Sequence, residues 1–310
     1  MEYVLLVVGF ILLIKGADCF VDGSSSVAKK LKVPSLIIGM TIVAMGTSLP
    51  ECSVSITASM SGQNGLSIGN AVGSNIFNLM VVCGLCALFA PLPVSQGTLK
   101  KEFPFSIMVA LLLLALGSFG LSLGRLDGGV LLIVFVVFLL WMIMSAKKAR
   151  SNAGDAEEEY EILPVWQCEI YILGGIVAIK YGGDFVVDSA SVIAKSFGMS
   201  DTLVGMTIVA FGTSLPELVT SVIAARKNEV DMAIGNVIGS NIFNILLVLG
   251  VAAAISPITF IMDNIIDTIA LVVMSIMVLI FAWTKQKIER LEGAVMLLVY
   301  AGYMVYMCMR

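Results

Sequence analysis

Hydrophobic positions in this chain do not alternate with polar ones at the period of a strand, nor do they form the narrow stripe of a surface helix. They run on in blocks near 3–22, 35–59, 68–89, 104–122, 128–146, 169–188, 202–225, 232–253, 264–283 and 291–309. Runs of roughly 17–25 apolar residues match the length of an α-helix that crosses a bilayer. Backbone polar groups in hydrocarbon must be paired, and a helix pairs them within its own segment. The pattern predicts an all-α polytopic membrane protein of about ten transmembrane helices. The first block, MEYVLLVVGFILLIKGAD, lacks the basic flank and small-residue cleavage site of a secretory signal, so it reads as the first span.

Composition agrees. The chain has 310 residues, is 59% hydrophobic and 13% charged, against about a quarter charged in soluble domains. The net charge of −4 carries little, because placement of charge matters more than its sum. The expected surroundings are a lipid bilayer, with no nucleic-acid partner. Lysine and arginine gather on cytoplasmic loops. With the N-terminus outside, inner loops hold 13 of them (Lys29, Lys30, Lys32, Lys100, Lys101, Lys147, Lys148, Arg150, Arg226, Lys227, Lys285, Lys287 and Arg290) and the outer side 3 (Arg125, Lys195 and Arg310). Both termini are therefore expected outside.

The longest loop, KKARSNAGDAEEEYEILPVW, is inner. Its acidic run at 155–161 could sense a cation, but it lacks the glycine-centred ligand spacing of a calcium loop. It reads as a solvated linker between halves. The organisation expected is a first five-helix repeat over 1–146, a linker over 147–168 and a second repeat over 169–310. Five of the six cysteines (Cys19, Cys52, Cys83, Cys86, Cys308) sit in or beside apolar runs. The CxxC of Cys83 and Cys86 has no second pair, no histidine and no βαβ context, so packing between helices is the expected role.

Shifting the chain by 166 residues lays GMTIVAMGTSLPE (39–51) on GMTIVAFGTSLPE (205–217), and IGNAVGSNIFN (68–78) on IGNVIGSNIFN (234–244). Between 39 and 78 there are 23 identities in 40 positions. Asp18 and Asp22 fall on Asp184 and Asp188, so the first helix of each half belongs to the repeat. Five spans, an odd number, separate equivalent helices. The halves therefore cross the membrane in opposite directions. Inverted repeats are the architecture of many secondary transporters, with discontinuous helices around a midplane site. A duplicated scaffold with no site would not need to keep Glu, Thr, Ser and Asn at lipid depth, where polar groups are expensive.

In GTSLPE, Pro50 has no N–H to give the carbonyl of Gly46, and its ring opens that turn. Freed carbonyls at bilayer depth need a partner. Thr47 and Glu51 are spaced i and i+4, and Ser48 and Glu51 i and i+3, so these side chains are expected to share one helix face. The second copy supplies Thr213, Ser214 and Glu217. Asn70, Ser74 and Asn78 step by four, as do Asn236, Ser240 and Asn244. Ser74, Asn78, Ser240 and Asn244 read as ligands. Asn70, Asn75, Asn236 and Asn241 divide evenly between interhelical hydrogen bonding and a direct role. Gly69 and Gly73, with Gly235 and Gly239, form small-xxx-small patterns that let helices approach. Two carboxylates, hydroxyls, amide oxygens and loose carbonyls are hard donors suited to Ca2+ or an alkali cation.

These paired blocks resemble the α-repeats of the cation/Ca2+ antiporter superfamily, in particular prokaryotic sodium/calcium exchangers, over essentially the whole chain. The resemblance implies ten helices, ion sites on the second, third, seventh and eighth, and sliding of the first and sixth to alternate access. It implies Thr47, Ser48, Glu51, Ser74, Asn78, Thr213, Ser214, Glu217, Ser240 and Asn244 as ligands, joined by the carbonyls of Ala44 and Ala210. The implied function is exchange of Ca2+ for Na+ between Glu51 and Glu217, in the inner (plasma) membrane of a prokaryote, by a protein that works as a monomer and needs no cofactor. Many relatives carry Asp where this chain has Asn244, which argues against potassium co-transport.

H+ as the coupling ion remains an alternative on the same fold. An intramembrane enzyme using the two glutamates as an acid–base pair is another. No nucleophile–base pair, histidine or phosphate-binding loop accompanies it, and no enzymatic activity is expected. Asp18, Asp22, Asp184 and Asp188 could line access paths or be exposed near span ends. Lys15 and Lys180 are expected to snorkel or to pair with those acids.

Overall fold

The computed structural model describes residues 1–152, 163–199 and 210–309. The acidic run at 155–161, the start of the second motif at 205–209 and Arg310 lie outside the described residues. The elements are α1 (Glu2–Leu31), α2 (Ser35–Thr47), α3 (Leu49–Met60), α4 (Asn64–Phe89), α5 (Gln96–Lys100), α6 (Glu102–Ser118), α7 (Arg125–Asn152), α8 (Val165–Ser196), α9 (Leu215–Arg226), α10 (Val230–Ile255), α11 (Met262–Lys285) and α12 (Arg290–Met309). A short turn of helix, Ala210–Gly212, precedes α9. Among the described residues seven helices are long and apolar enough to cross a membrane, or eight if α2 and α3 count as one bent span.

Helix ends follow local chemistry. α1 stops where Lys32 turns left-handed (φ 52) and the Val33 N–H reaches back to the Ala28 carbonyl at 2.9 Å, a closure that satisfies terminal carbonyls. Pro34 then prevents continuation. α2 and α3 form one apolar stretch broken at Ser48, where the axis bends by 50°. Pro50 accounts for the break: it sits in the first turn of α3, where a missing N–H costs nothing.

α4 and α10 form the centre, with 72% and 78% of their most apolar stretches buried, against 22% for α7 and 11% for α12. The outer helices therefore present lipid-facing rows such as Ile133, Val136, Val137 and Leu140 on α7. In bilayer the drive for helix association is close packing rather than hydrophobic burial, and glycine supplies it. On α10, a Cβ at Gly235 would stand 2.5 Å from the Leu36 carbonyl of α2, and one at Gly239 would stand 2.6 Å from Met40 Cα. α1 and α8 run antiparallel through a seam repeated every seven residues: Gly9 faces Gly182, Gly16 faces Gly175 and Gly23 faces Cys168.

Two-residue ladders tie the halves at the bundle ends. β1 (Leu92–Pro93) pairs antiparallel with β4 (Lys287–Ile288), and β2 (Ser122–Leu123) with β3 (Ile258–Thr259). Under the 166-residue shift β1 maps to β3 and β2 overlaps the last residue of β4, so the two pairings exchange with each other. Among the described residues three regions wind as π-helix: Gly39–Val43 in α2, Asn78–Val82 in α4 and Asn244–Leu249 in α10. Such insertions recur at functional sites. Two of these begin on asparagines singled out by the repeat.

Candidate functional site

The break between α2 and α3 puts Thr47 at the end of one helix and Glu51 in the first turn of the next. Ser214 and Glu217 stand likewise at the start of α9. A bend thus stands between the two residues spaced i and i+4, and each motif reaches across to the other half. Ser48 Oγ donates to Glu217 Oε1 at 2.8 Å. Ser214 Oγ lies 3.3 Å from Glu51 Oε1 and 3.0 Å from Ser74 Oγ. Gly46 is needed at this bend for close approach: a Cβ there would meet the Phe20 ring of α1 at 2.7 Å.

Both glutamates are fully buried at 0% exposure. Each uses one carboxylate oxygen on the opposite serine. The other oxygens, Glu51 Oε2 and Glu217 Oε2, accept no hydrogen bond among the described residues, and the same holds for Asn78 Oδ1 and Asn244 Oδ1. Four buried acceptors, matched two by two across the repeat, are left without a donor. Buried polar atoms are nearly always paired, so each such atom calls for an explanation. Among the described residues no group of three or more Asp, Glu, Cys or His is placed to hold a metal ion, and the formal charge of the site rests on the two glutamates.

The threonines stand beside this set. Thr47 Oγ1 lies 3.1 Å from Asn236 Oδ1, 3.1 Å from the Val43 carbonyl and 3.3 Å from the Ala44 carbonyl. It has one hydrogen for three acceptors, so its lone pairs remain available. Thr213 Oγ1 stands 3.5 Å from Asn70 Oδ1. The Ala44 carbonyl already accepts the Ser48 N–H at 3.0 Å, and Ala210 is the first residue of its helical turn. Ser240 Oγ, buried, lies 3.5 Å from Asn236 Oδ1. The site therefore gathers two hydrogen-bonded sets, Glu51 with Ser214 and Ser74, and Ser48, Glu217, Thr47 and Ser240 joined through Asn236, with Asn78 and Asn244 joined to each other through a second set of asparagines.

Asn70 Nδ2 donates to Ser55 Oγ at 3.0 Å and to the Glu51 carbonyl at 3.2 Å. Asn236 Nδ2 donates to Ser221 Oγ at 2.9 Å. Ser55 and Ser221 escaped the reading of motifs, yet a signal existed. In the divergent stretch 52–67 of the repeat, only Ser55 and Ala58 match their counterparts, Ser221 and Ala224.

Other polar groups settle away from the site. Asp18 and Asp22 pair with Lys227 of α9's end at 2.7 and 2.6 Å, not with Lys15, whereas Lys180 does pair with Asp184 at 2.7 Å. Glu229 accepts from Ser25 and Ser35 and pairs with Lys29 at 3.6 Å. All six cysteines are free, with Cys83 and Cys86 buried, in keeping with a packing role.

Comparison with known proteins bears on what this network serves. The sequence matches the family described as Sodium/calcium exchanger protein over residues 1–144 and 170–309. It is 42% identical over 321 residues to CaxA of Alkalimonas amylolytica, covering 97% of this chain and 96% of that one. It is 40% identical over 261 residues to the inner membrane protein YrbG of Escherichia coli (strain K12), covering 82% and 79%. A solved structure of the sodium-calcium exchanger NCX_Mj, soaked with Na+ and Sr2+, superposes with a TM-score of 0.86 at 35% identity and covers 98% of each chain.

Proposed function

The chain belongs to the sodium/calcium exchanger family of multi-pass membrane proteins, and on that footing we propose that it exchanges Ca2+ for Na+ by alternating access, binding the ions between Glu51 and Glu217. The observation that carries the reading is the set of four buried, unpaired acceptors: Glu51 Oε2, Glu217 Oε2, Asn78 Oδ1 and Asn244 Oδ1. All are hard oxygens, and the set holds two formal charges. One Ca2+ neutralises it, as do two monovalent cations. Thr47, Ser48, Ser74, Thr213, Ser214 and Ser240, with the carbonyls of Ala44 and Ala210, complete the donor shell.

A pocket that one Ca2+ or several Na+ can fill, but not both at once, is the physical requirement for exchange. Left empty, it would hold two desolvated charges without compensation, which is costly. That cost opposes the transition of the unloaded carrier and so suppresses leak. The two sides of the pocket also differ in burial. Thr47 and Asn236 are buried, while their counterparts Thr213 and Asn70 are half-buried. A carrier caught in one of two alternating conformations is expected to look this way.

The halves 1–146 and 169–310, joined by the linker over 147–168, act as inverted five-helix units with both termini outside. Support comes from the antiparallel α1–α8 seam and the loop charge bias. One chain supplies both halves of the pocket, so a monomer suffices. Placement in the inner membrane follows the charge bias and the name of the YrbG relative.

Na+ is favoured over H+ as coupling ion because hydroxyl oxygens flank both glutamates, and the NCX_Mj likeness points the same way. Reconstitution tests it. Radiolabelled Ca2+ uptake into Na+-loaded vesicles is expected to collapse when the Na+ gradient is dissipated. Uptake that ignores Na+ and follows an imposed pH step instead would establish the proton-coupled alternative.

A further inference from the structure

Asn75 and Asn241 belong to the repeat but are absent from the donor shell, and both are buried. Asn75 Nδ2 donates to the Asn241 backbone carbonyl at 3.0 Å, and Asn241 Nδ2 donates to the Asn75 backbone carbonyl at 3.2 Å. This reciprocal clasp joins α4 to α10. The remaining atom of each amide faces the next asparagine of the other half. Asn244 Nδ2 donates to Asn75 Oδ1 at 3.1 Å, and Asn78 Nδ2 donates to Asn241 Oδ1 at 3.2 Å.

We propose that Asn75 and Asn241 are positioning residues that set which end of the Asn244 and Asn78 amides is offered to the transported cation. The inference rests on the reading of the pocket as a cation site. An amide side chain has two ends of nearly equal shape and opposite hydrogen-bonding character. Packing alone does not distinguish them, yet a cation takes only the oxygen. A backbone carbonyl can only accept. It therefore compels the Asn75 amide to point Nδ2 at it, which turns Asn75 Oδ1 toward Asn244. An oxygen there takes up the Asn244 nitrogen, and Asn244 Oδ1 is left free. The same chain of acceptor, donor and acceptor runs from the Asn75 carbonyl through Asn241 to Asn78. Its two terminal atoms, Asn244 Oδ1 and Asn78 Oδ1, are both left without donors.

The clasp also crosses between halves, so the amide that each half contributes is aimed by the other. Loss of Asn75 would leave the Asn244 nitrogen unpaired and free to turn into the pocket, where its N–H groups would repel a cation. Partners that orient metal ligands typically matter by ~10–100-fold in affinity.

A double-mutant comparison in Na+-loaded vesicles tests the assignment. Asn75→Leu is expected to raise the half-saturating Ca2+ concentration ~10-fold or more while leaving the maximal uptake rate near wild type. In an Asn244→Asp background the same substitution is expected to change half-saturation by less than about twofold, well below that range. A carboxylate has no nitrogen end to turn. The mirror pair, Asn241→Leu with Asn78→Asp, carries the same expectation. If the leucine variants do not fold, Asn75→Ser serves, since its hydroxyl is a bond shorter than the amide it replaces. Equal penalties in both backgrounds, or no penalty in the wild-type one, would overturn the positioning role. If Glu51→Gln and Asn244→Asp also leave half-saturation unchanged, the cation-site reading fails with it. If those two shift it and Asn75→Leu does not, only the positioning role falls.

Discussion

Glu51→Gln separates the charge of the pocket from its shape. Glutamine keeps an Oε1 that can accept from Ser214, now 3.3 Å from Glu51 Oε1. It replaces the unpaired Oε2 with an amide nitrogen that has no lone pair to offer. The loaded site then holds Ca2+ against one carboxylate rather than two, in surroundings where Glu51 is 0% exposed. Removing one partner of a buried charge pair typically costs ~3–5 kcal/mol, which corresponds to a rise of roughly two to nearly four orders of magnitude in the Ca2+ concentration for half-saturation. The ion-free protein should respond with the opposite sign. With a chelator present, wild type buries two carboxylates without a cation, and the variant buries one. Thermal unfolding in detergent should therefore occur at a higher temperature for Glu51→Gln than for wild type when Ca2+ and Na+ are absent, and at a lower relative temperature when Ca2+ saturates wild type. Ca2+ titration by uptake and by calorimetry, paired with unfolding scans in both conditions, reads both effects. Half-saturation within threefold of wild type, or a variant less stable than wild type in the chelator, would refute the reasoning that these oxygens face a shared cation. Glu217→Gln should behave alike, because the repeat gives it the same partner and the same free oxygen.

Ser221→Ala removes the hydroxyl that holds Asn236 Nδ2 at 2.9 Å and leaves a buried amide donor weakly paired, so a loss of ~1–3 kcal/mol in stability is expected in chemical unfolding, with weaker Ca2+ binding through the Asn236–Thr47 contact. Gly182→Leu places a side chain where a Cβ alone would stand 2.6 Å from Leu13 N; overpacking of this kind costs ~1–3 kcal/mol, and transport rate should fall further than equilibrium Ca2+ affinity, because the α1–α8 seam is strained and not the pocket. Lys227→Met breaks the pairs to Asp18 and Asp22, whose side chains are 41% and 45% exposed, so stability should change by less than ~1 kcal/mol and Ca2+ half-saturation should stay at the wild-type value.

Much of the architecture was open to reading because its causes are local. Apolar run length sets where a helix can cross hydrocarbon, and the apolar runs in the described residues fall largely on helices, the one at 35–59 on two. The GTSLPE break was legible for the same reason: proline removes an N–H whatever surrounds it. The repeat pairs the glutamates, the serines and the asparagines as equivalents by sequence alone. Three things were not legible. Thr47 and Glu51 were expected on one helical face, but the 50° bend at Ser48 parts them. Lys15 was expected to snorkel or to pair with a nearby acid, but nothing local announced that Asp18 and Asp22 pair with Lys227, more than two hundred residues away. The α1–α8 seam went unread although its glycines recur every seven residues, since one helix's spacing says nothing of which neighbour it meets.

The residues of the proposed pocket and their twofold equivalence are written in the chain itself, because duplication copies letters and backbone chemistry acts within a few residues of its cause. Which half serves which is not. Ser48 meets Glu217, Ser214 meets Glu51, and Asn75 takes the Asn244 amide only after α4 and α10 pack side by side. Each of those hydrogen bonds joins residues at least 163 apart in sequence, so its partner is chosen by the packing of helices and by no pattern along either one.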